Sequence, residues 1–492
     1  MKRQISGWCV GIGLGAMAVG CDMLDVEPTS VITSNSFWKT ESDAEGALAG
    51  MYVQLRNNAV ENLFIWGEMR SETLESEAIV GDNYLKYREN DLDASFGPTW
   101  QNFYSAVNTA NLLLTKVPGI SFADEDKRDL ILAQAYAMRA YIYFTMARIW
   151  GGVPLRTEPM EGYDPLTVNK PRETEENLFT FIKQDIDSAL NLFPSEEFET
   201  GRNHWSKAAT YALKADVYLW TARRKGGGEA DYREALAACE SVQQIPGIEL
   251  LPSFGDVFAY ENKGNNEILM AINFKEVEAS NNYFDMMHIS EATVTPDIEP
   301  DILATIGVGG GLMEVSPSKH LREQYATDDS RKDVTFLEIY KTIDGQRSYY
   351  GTMAMKGRGT VISGVRYFVD DVILYRYADV LLMKAEAKNG LGMDPTPEMK
   401  EVRERAYGAE NYAAHEFVNG SFEENDEAIL QERLLELALE CKRWFDLVRF
   451  DKAFELVPSL QGRSDPALLY FPIPSSVLSL EPLVEPNTGW PV

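Results

Sequence analysis

The chain has 492 residues, of which 45% are hydrophobic and 25% are charged, the balance of a water-soluble globular protein with a substantial core. Its length corresponds to two or three ordinary domains. The 46 lysine and arginine residues against 76 aspartate and glutamate residues give a net charge of -30, and a field of that sign argues against nucleic acid as a partner.

Residues 1–20 have the features of a bacterial export signal. Lys2 and Arg3 precede an apolar, uncharged run from residue 8 to residue 19, which is shorter than the roughly 20 residues a membrane-spanning helix needs. The run ends in small residues before Cys21, an arrangement that resembles a lipobox. We therefore expect cleavage before Cys21 and acylation of its thiol, for example by palmitate, which would anchor the protein to a membrane. The alternative is an ordinary signal with a chance cysteine.

Residues 21–40 are predicted to form an acidic tether and the start of the fold. Asp22, Asp25 and Glu27 would hold the globular part away from anionic headgroups. Acidic residues at this place also resemble the signal that sends lipoproteins of the Bacteroidetes to the cell surface. Both interpretations are compatible.

Residues 41–244 are predicted to form the first part of a helical scaffold. Apolar residues recur every three or four positions from Trp100 to Leu114, and a second helix is predicted from about Glu125 to Trp150. Further helices are predicted over residues 174–192, 206–222 and 232–242, with Ser206 as an N-cap. These helical hairpins, in which small residues face aromatic ones, resemble tetratricopeptide repeats without a strict repeat length.

Residues 245–366 differ in texture, because Gly, Asn, Asp and Pro are frequent and apolar runs are short. The best strand candidate is residues 267–274, and we expect an irregular lobe of loops, short helices and few strands. Residues 367–492 are predicted to resume the scaffold, with helices over residues 375–389 and 426–454, and to end in a C-terminal segment. The predicted fold class is mainly α: a tetratricopeptide-like α-α superhelix with a loop-rich lobe.

No motif in the sequence indicates catalysis, a cofactor or a metal. GxSxG, HExxH and phosphate-loop patterns are absent from the sequence, and its four histidines are far apart. Glu68, Glu72 and Glu75 have helical spacing, and we interpret them as an exposed charged face in preference to the carboxylate pair of a glycoside hydrolase. Cys239 and Cys441 fall in helical patterns and are interpreted as small core residues. A disulfide between the two cysteines stays open.

Aromatic and amide side chains in loop-like segments favour ligand binding. Sugar rings present apolar faces to flat aromatic side chains, and their hydroxyl groups bond to amide and charged groups. Packing within the lobe is the competing interpretation for each residue. The candidate ligand contacts are Trp66, Asn83, Tyr84, Tyr87, Asn282, Tyr283, Phe284, Tyr349 and Tyr350. Lys356, Arg358 and Arg366 are candidates for a local basic patch that would accept an acidic glycan.

Several stretches match a known family in its order along the chain. They include Cys21-Asp22-Met23-Leu24-Asp25, Gly151-Gly152-Val153-Pro154, Tyr375-Arg376-Tyr377-Ala378-Asp379, Arg443-Trp444-Phe445-Asp446, Phe471-Pro472-Ile473-Pro474 and Asn487-Thr488-Gly489-Trp490. Together they are similar to the SusD/RagB family of Bacteroidetes outer-membrane lipoproteins. We interpret Trp444 and Phe445 as core residues and Arg443 and Asp446 as members of buried or interface pairs.

The resemblance implies a non-catalytic, surface-exposed lipoprotein of the outer membrane. Such a protein binds oligosaccharide or polysaccharide and delivers it, as a lid, to a SusC-like TonB-dependent transporter for nutrient uptake. The alternatives are a peptide ligand, a tetratricopeptide adaptor without a ligand, and a secreted glycoside hydrolase. Among the candidates Trp66 is the one tryptophan, which argues against a long helical glucan. The sequence leaves the identity of the glycan and the oligomeric state open.

Overall fold

The computed structural model of the protein describes residues 37–76, 84–162 and 168–490. Cys21 and Asn83 lie outside these ranges, so the expectations about them stay predictions. The described chain is mainly α-helical, and its strands pair in antiparallel two-stranded sheets. The prediction of a mainly α fold with few short strands is confirmed.

The first part of the scaffold consists of helices that pack in chain order. They are α1 (Glu41–Ala59), α2 (Asn62–Gly67), α3 (Leu85–Arg88), α4 (Gln101–Lys116), α5 (Glu125–Trp150), α6 (Glu175–Leu192), α7 (Lys207–Arg224) and α8 (Gly228–Gln244). Helix α1 packs on α4, and each helix from α4 to α8 packs on the next. This stacking of neighbouring helices is the geometry of a tetratricopeptide-like superhelix.

Local sequence explains where these helices begin and how closely they approach. Ser206 caps α7, since its hydroxyl accepts a hydrogen bond from the Ala209 amide at 3.2 Å, as predicted. Helix α5 ends at Gly151, whose φ of 76° a residue with a side chain rarely adopts. Ala212 and Ala215 of α7 are fully buried, because their small side chains let neighbouring helices come close.

The lobe between α8 and the second part of the scaffold is built from short elements. They are α9 (Phe254–Val257), β2 (Ile268–Ile272), α10 (Pro300–Ile306), β3 (Val315–Pro317), α11 (Lys319–Glu323), α12 (Lys332–Thr335), β4 (Phe336–Ile343), β5 (Gln346–Ala354), β6 (Thr360–Ile362) and β7 (Val365–Tyr367). Strands β4 and β5 form a hairpin, as do β6 and β7, and β3 pairs with β1 (Leu74–Ser76) of the first part. The predicted strand over residues 267–274 is confirmed as β2.

The second part of the scaffold begins with β8 (Val372–Arg376), which pairs with β2. The helices that follow are α13 (Tyr377–Gly390), α14 (Thr396–Asn411), α15 (Phe422–Leu437), α16 (Arg443–Arg449), α17 (Ala453–Leu456) and α18 (Ser475–Leu480). The prediction of one helix over residues 426–454 is wrong. The helix is interrupted there at Leu439, Cys441 and Asp451, which all have positive φ.

A buried set of ion pairs, here called the lobe network, ties the lobe to α14 and α15. It joins equal numbers of acidic and basic side chains, so it is neutral as a whole. Its members are Glu267, Asp329, Glu432, Glu436 and Glu440 with Arg331, Lys356, Arg376, Arg403 and Arg405. Buried charges are tolerated only when they are paired in this way. Removing one partner is strongly destabilising, because it leaves the other charge buried without a counter-charge.

A second neutral set of ion pairs, here called the scaffold network, lies among α5, α7, α13, α15 and α16. Its members are Asp216, Asp379, Glu386, Asp426 and Asp446 with Arg148, Arg223, Arg433, Lys442 and Arg449. The interpretation of Asp446 as one of a buried pair is confirmed, because its carboxylate lies 2.8 Å from Arg433 Nε. Trp444 and Phe445 lie in the core, also as predicted.

Cys239 and Cys441 are both free thiols, which answers the question of their pairing. Burial raises the pKa of both thiols well above the ordinary value. Within the described ranges, no helix combines the length and apolar character that crossing a membrane requires. The same residues hold no group of three or more His, Cys, Asp or Glu side chains arranged to bind a metal ion.

Candidate functional site

Two of the predicted ligand contacts lie in the core. Trp66 has no exposed surface, and its ring stacks on Phe103 with the ring centroids 5.0 Å apart. Tyr283 is 2% exposed, stacks on Phe64 at 4.6 Å and donates a hydrogen bond to the Leu439 carbonyl at 3.1 Å. These rings fill the interior, so we correct the expectation that they touch a ligand.

Asn282 and Phe284 also have structural positions. Asn282 is fully buried, and its side-chain amide donates to the Asp370 carbonyl at 2.7 Å. Its side-chain oxygen accepts from the Phe284 amide and so caps the turn that carries both aromatic rings. Phe284 is 5% exposed and lies against Gly357, where an added Cβ would come within 2.1 Å of the ring. Both residues therefore shape the lobe and present almost no surface to solvent.

Tyr84 and Tyr87 are buried beside the gap in the described chain that contains Asn83. The Tyr84 hydroxyl donates to Glu61 Oε1 at 2.6 Å, and its ring stacks with that of Tyr87 at 6.4 Å. Burial, and then the hydrogen bond to Glu61, raises the pKa of Tyr84 well above its ordinary value. Tyr84 is 9% exposed and Tyr87 is 4% exposed, which leaves them as minor candidates.

The acidic residues predicted to form an exposed face are instead largely buried. Glu68 and Glu72 are at most 5% exposed. The Glu72 carboxylate accepts from Arg443 Nε at 2.9 Å, which pairs α16 with the segment after α2. Glu68 accepts from the Leu439 amide at 3.2 Å. The interpretation as a solvated charge run is therefore wrong, and the residues act as structural partners.

The hairpin of β4 and β5 presents the one predicted aromatic side chain that is well exposed among those the structure describes. Tyr349 is 45% exposed, and the Arg322 guanidinium lies 4.9 Å from its ring centroid. Its ring makes a T-shaped contact with Tyr340, with the ring centroids 5.9 Å apart, and its hydroxyl is 2.8 Å from that of Thr352. A ring held on several sides in this way offers a preorganised surface for stacking.

Tyr350, on the same strand, is half-buried and turned away from that surface. Its ring centroid lies 3.5 Å from Lys341 Nζ, and its hydroxyl donates to the Thr293 carbonyl at 3.2 Å. The hydrogen bond to Thr293 docks the hairpin onto the rest of the lobe. We therefore expect Tyr350 to support the position of Tyr349 and not to act as the main contact.

A cleft of about 500 Å³ opens in the lobe near the hairpin of β6 and β7. It runs between the segment from Gly255 to Glu261, helix α12 and that hairpin. Its polar and aromatic lining includes Tyr260, Glu261, Asp333, Arg358, Thr360, Arg366 and Asp370. The volume lies in the range of sites that hold small ligands. Hydroxyl, carboxylate, guanidinium and aromatic groups in one cleft are the groups that bind sugar hydroxyls and ring faces.

Tyr260 is a cleft residue that the sequence reasoning missed. It is half-buried, and its ring centroid lies 5.0 Å from Lys263 Nζ. It stands just before a run of Asn and Gly residues, and an aromatic residue beside such a run was the available signal. Tyr349 is separate from the cleft, since from Tyr349 to Met355 at the cleft edge the extended chain runs about 20 Å.

The predicted basic patch is only partly present. Lys356 is 1% exposed and belongs to the lobe network, with its ammonium 2.7 Å from Glu440 Oε1. It is therefore a structural residue, contrary to expectation. Arg358 and Arg366 both line the cleft.

A second cleft, of about 550 Å³, lies between the start of α6 and the C-terminal segment. Its described lining contains no aromatic side chain. The Arg172 guanidinium in it donates to the carbonyls of Trp150, Gly152 and Glu485, so it holds the wall together. The cleft near β6 and β7 is the better candidate for ligand binding.

Comparison with known proteins identifies the family. The family model described as the SusD family matches residues 337–490, and a second model, described as starch-binding and associating with the outer membrane, matches residues 22–219. The solved structure of B. fragilis NanU is 30% identical, with a TM-score of 0.85 over 95% of this chain and 100% of that chain. The chain belongs to the SusD/RagB family.

Other members of this SusD/RagB family show the same full-length likeness. A SusD superfamily protein from Bacteroides vulgatus is 29% identical, with a TM-score of 0.83 over 92% of this chain and 100% of that chain. SusD-like protein P38 of Formosa agariphila is 28% identical over 498 residues, which cover 93% of each chain. The family to which this chain belongs is thus described as starch-binding and associated with the outer membrane.

Proposed function

We propose that the protein is a surface-exposed lipoprotein of the outer membrane that binds oligosaccharide or polysaccharide and passes it to a SusC-like TonB-dependent transporter. The observation that carries the proposal is the family membership: the two family models match residues 22–219 and 337–490. The protein acts by binding alone, and the transporter moves the glycan across the membrane.

The lobe supplies two places where a sugar chain can make contact. The cleft offers Tyr260 and the Thr360 hydroxyl beside charged groups, and the hairpin offers the exposed ring of Tyr349. An aromatic face buries the apolar side of a sugar ring, while hydroxyl and charged groups bond to its polar edge. Two separate contact points on one lobe suit an extended oligosaccharide better than a single small molecule.

The buried lobe network supports this role because it fixes the lobe to the scaffold. Arg376, at the end of β8, reaches Glu267 in the lobe at 2.8 Å and Glu436 of α15 at 2.6 Å. A lobe held in this way presents its cleft in one orientation relative to the scaffold. We propose that the scaffold contacts the transporter and that the lobe contacts the glycan.

Fractionation and uptake in the source bacterium test this proposal. Cys21→Ser should remove the protein from the outer-membrane fraction, because serine has no thiol to acylate and the protein loses its lipid anchor. A strain without the protein should accumulate less of a fluorescently labelled glycan, and wild-type protein should restore the uptake while Cys21→Ser should not. Normal uptake without the protein, or an unchanged location of Cys21→Ser, would overturn the proposal.

A further inference from the structure

Arg358 is held in one orientation by the backbone around it. It stands between Gly357 and Gly359, which have φ of 65° and 66°. A Cβ on Gly359 would come within 1.8 Å of the Tyr367 carbonyl oxygen, so a side chain there is excluded. The turn around Arg358 is therefore fixed by tight packing, and its side chain leaves the backbone at a defined place on the cleft wall.

The Arg358 guanidinium has hydrogen-bonding capacity to spare. Its Nη2 donates to the Thr305 carbonyl at 2.6 Å, at the end of α10. Its Nε and Nη1 bond to none of the described residues, and neither atom is among the buried polar atoms that lack a partner. These two N–H groups consequently face solvent in the cleft, where each can donate a charge-assisted hydrogen bond to an anionic ligand.

Arg366 adds a second positive charge beside the first. Its guanidinium donates to the carbonyls of Val308, Arg358 and Ile306 at 2.9, 2.5 and 3.1 Å. Within the described residues, neither arginine forms an ion pair with a carboxylate, whereas the arginines of the lobe network all do. The charge of Asp370 acts on both guanidinium groups without forming an ion pair with either.

The positive charges of Arg358 and Arg366 also act on a buried histidine nearby. His288 is 1% exposed and packs on Phe368. Burial lowers the pKa of His288 to about 3, and the charges of Arg366 and Arg358 act in the same direction. Asp370, one of three acidic residues in the lining, is 8% exposed and accepts from the Gly359 amide, so its carboxylate is committed to the turn.

We propose that this cleft takes an acidic saccharide, whose carboxylate or sulfate group accepts a charge-assisted hydrogen bond from Nε or Nη1 of Arg358. The inference rests on the proposed function and narrows its ligand class. Thr360 and Tyr260 supply contacts to the neutral part of the same sugar chain. The charge on the ligand supplies the ion pair that the two arginines lack among the described residues, and this short-range pairing outweighs the overall repulsion, which salt screens.

Titration of the full-length protein in detergent with matched oligosaccharides tests the inference. The probes are an oligogalacturonate, the same oligomer with its carboxyl groups reduced to alcohols, and a sulfated oligosaccharide. We expect at least one acidic probe to bind about ten- to a hundredfold more tightly than the reduced oligomer, the effect of one charge-assisted hydrogen bond. Which acidic probe binds distinguishes a uronate from a sulfate ester.

Variants locate the effect. Arg358→Gln should abolish the preference for the acidic probe. Arg347→Gln is the matched control, because Arg347 is an exposed arginine on the hairpin of β4 and β5 that pairs with Glu299. It should leave the preference unchanged. Equal affinity of wild type for acidic and reduced oligomers, or an unchanged preference in Arg358→Gln, would overturn the inference. Tight binding of neutral glycans alone would overturn it while leaving the proposed function intact. Binding of no glycan by folded protein would overturn both.

Discussion

Glu436 is the most connected carboxylate of the lobe network, and its removal gives the sharpest stability prediction. Its Oε1 lies 2.6 Å from Arg376 Nη1 and also accepts from Arg405, and its Oε2 lies 3.2 Å from Arg331 Nη1. Burial by itself raises the pKa of Glu436, but the three guanidinium groups outweigh it and lower the pKa below the ordinary range. The group is therefore ionised at neutral pH.

Glu436→Gln keeps the shape of the side chain and one acceptor but removes the charge. The network then holds one unpaired positive charge, and the side chains of Arg331, Arg376 and Arg405 are at most 3% exposed. Breaking a buried ion pair from one side costs about 3–5 kcal/mol, a large share of the roughly 5–15 kcal/mol that stabilises a domain. We expect a loss of that size in the free energy of unfolding.

Urea denaturation followed by circular dichroism measures the effect from the shift in midpoint at constant slope. Glu323→Gln is the matched control, because the Glu323 side chain is 65% exposed and faces Lys319 at 3.6 Å. That exposed pair should contribute about 0.5 kcal/mol or less. A loss below about 1 kcal/mol in Glu436→Gln, or one equal to the control, would refute the assignment of the network as a buried structural unit.

Three further predictions concern stability and thiols. Tyr283→Ala should lower the free energy of unfolding by about 3–5 kcal/mol, because it leaves a cavity in the core. Tyr349→Ala should change the free energy of unfolding by no more than about 0.5 kcal/mol but should weaken glycan binding. Denaturation and glycan titration of both variants test this, and a larger loss of stability in Tyr349→Ala than in Tyr283→Ala would contradict it. His288 has a folded pKa of about 3 against 6.5 when unfolded, so the unfolded chain binds the extra proton and stability falls as pH drops from 6.5 towards 3. This loss is at most about 1.4 kcal/mol per pH unit. In His288→Gln the free energy of unfolding, measured between pH 7 and pH 5, should no longer show this pH-dependent loss. An unchanged pH dependence in the variant would be inconsistent with a buried neutral imidazole. Because Cys239 and Cys441 are free, a thiol reductant should leave the unfolding midpoint where it is, and a shift would show that they pair.

The helices of the scaffold could be predicted because their signals are local. Periodic apolar residues, the Ser206 cap and Gly151 each act within a few positions of the chain. The break after α15 has no such signal, since Leu439 and Cys441 adopt positive φ without being glycine. Distant contacts hold it: Glu68 accepts from the Leu439 amide, and a Cβ on Gly67 would lie 2.1 Å from the Cys441 carbonyl oxygen. Such contacts cannot be read from neighbouring residues.

The hairpin of β4 and β5 did have a sequence signal. It was overlooked because Gly, Asn, Asp and Pro are frequent throughout residues 245–366. Asp344 and Gly345 separate two runs rich in aromatic and β-branched residues, and both have positive φ in the turn, at 51° and 75°. That pair is a strong marker of a tight hairpin. The hairpin carries Tyr349, so recognising it would have separated this exposed ring from the others.

Burial separates the true candidates from the false ones, and it is a tertiary property. Tyr283 and Tyr349 both lie in loop-like sequence, yet one is 2% exposed and the other 45%. The difference arises because Phe64, from a remote helix, covers Tyr283. The same holds for charge, since Lys356 and Arg358 are two positions apart and only Arg358 reaches the cleft with N–H groups to spare.

Isothermal titration of the full-length protein in detergent against neutral and acidic soluble polysaccharides tests the central claim most directly. The account predicts saturable binding to at least one class of glycan, and recovery of that glycan at its original length after prolonged incubation. A folded protein that binds none of the polysaccharides, or one that shortens them, would contradict the assignment of this chain as a glycan-capturing partner of a transporter.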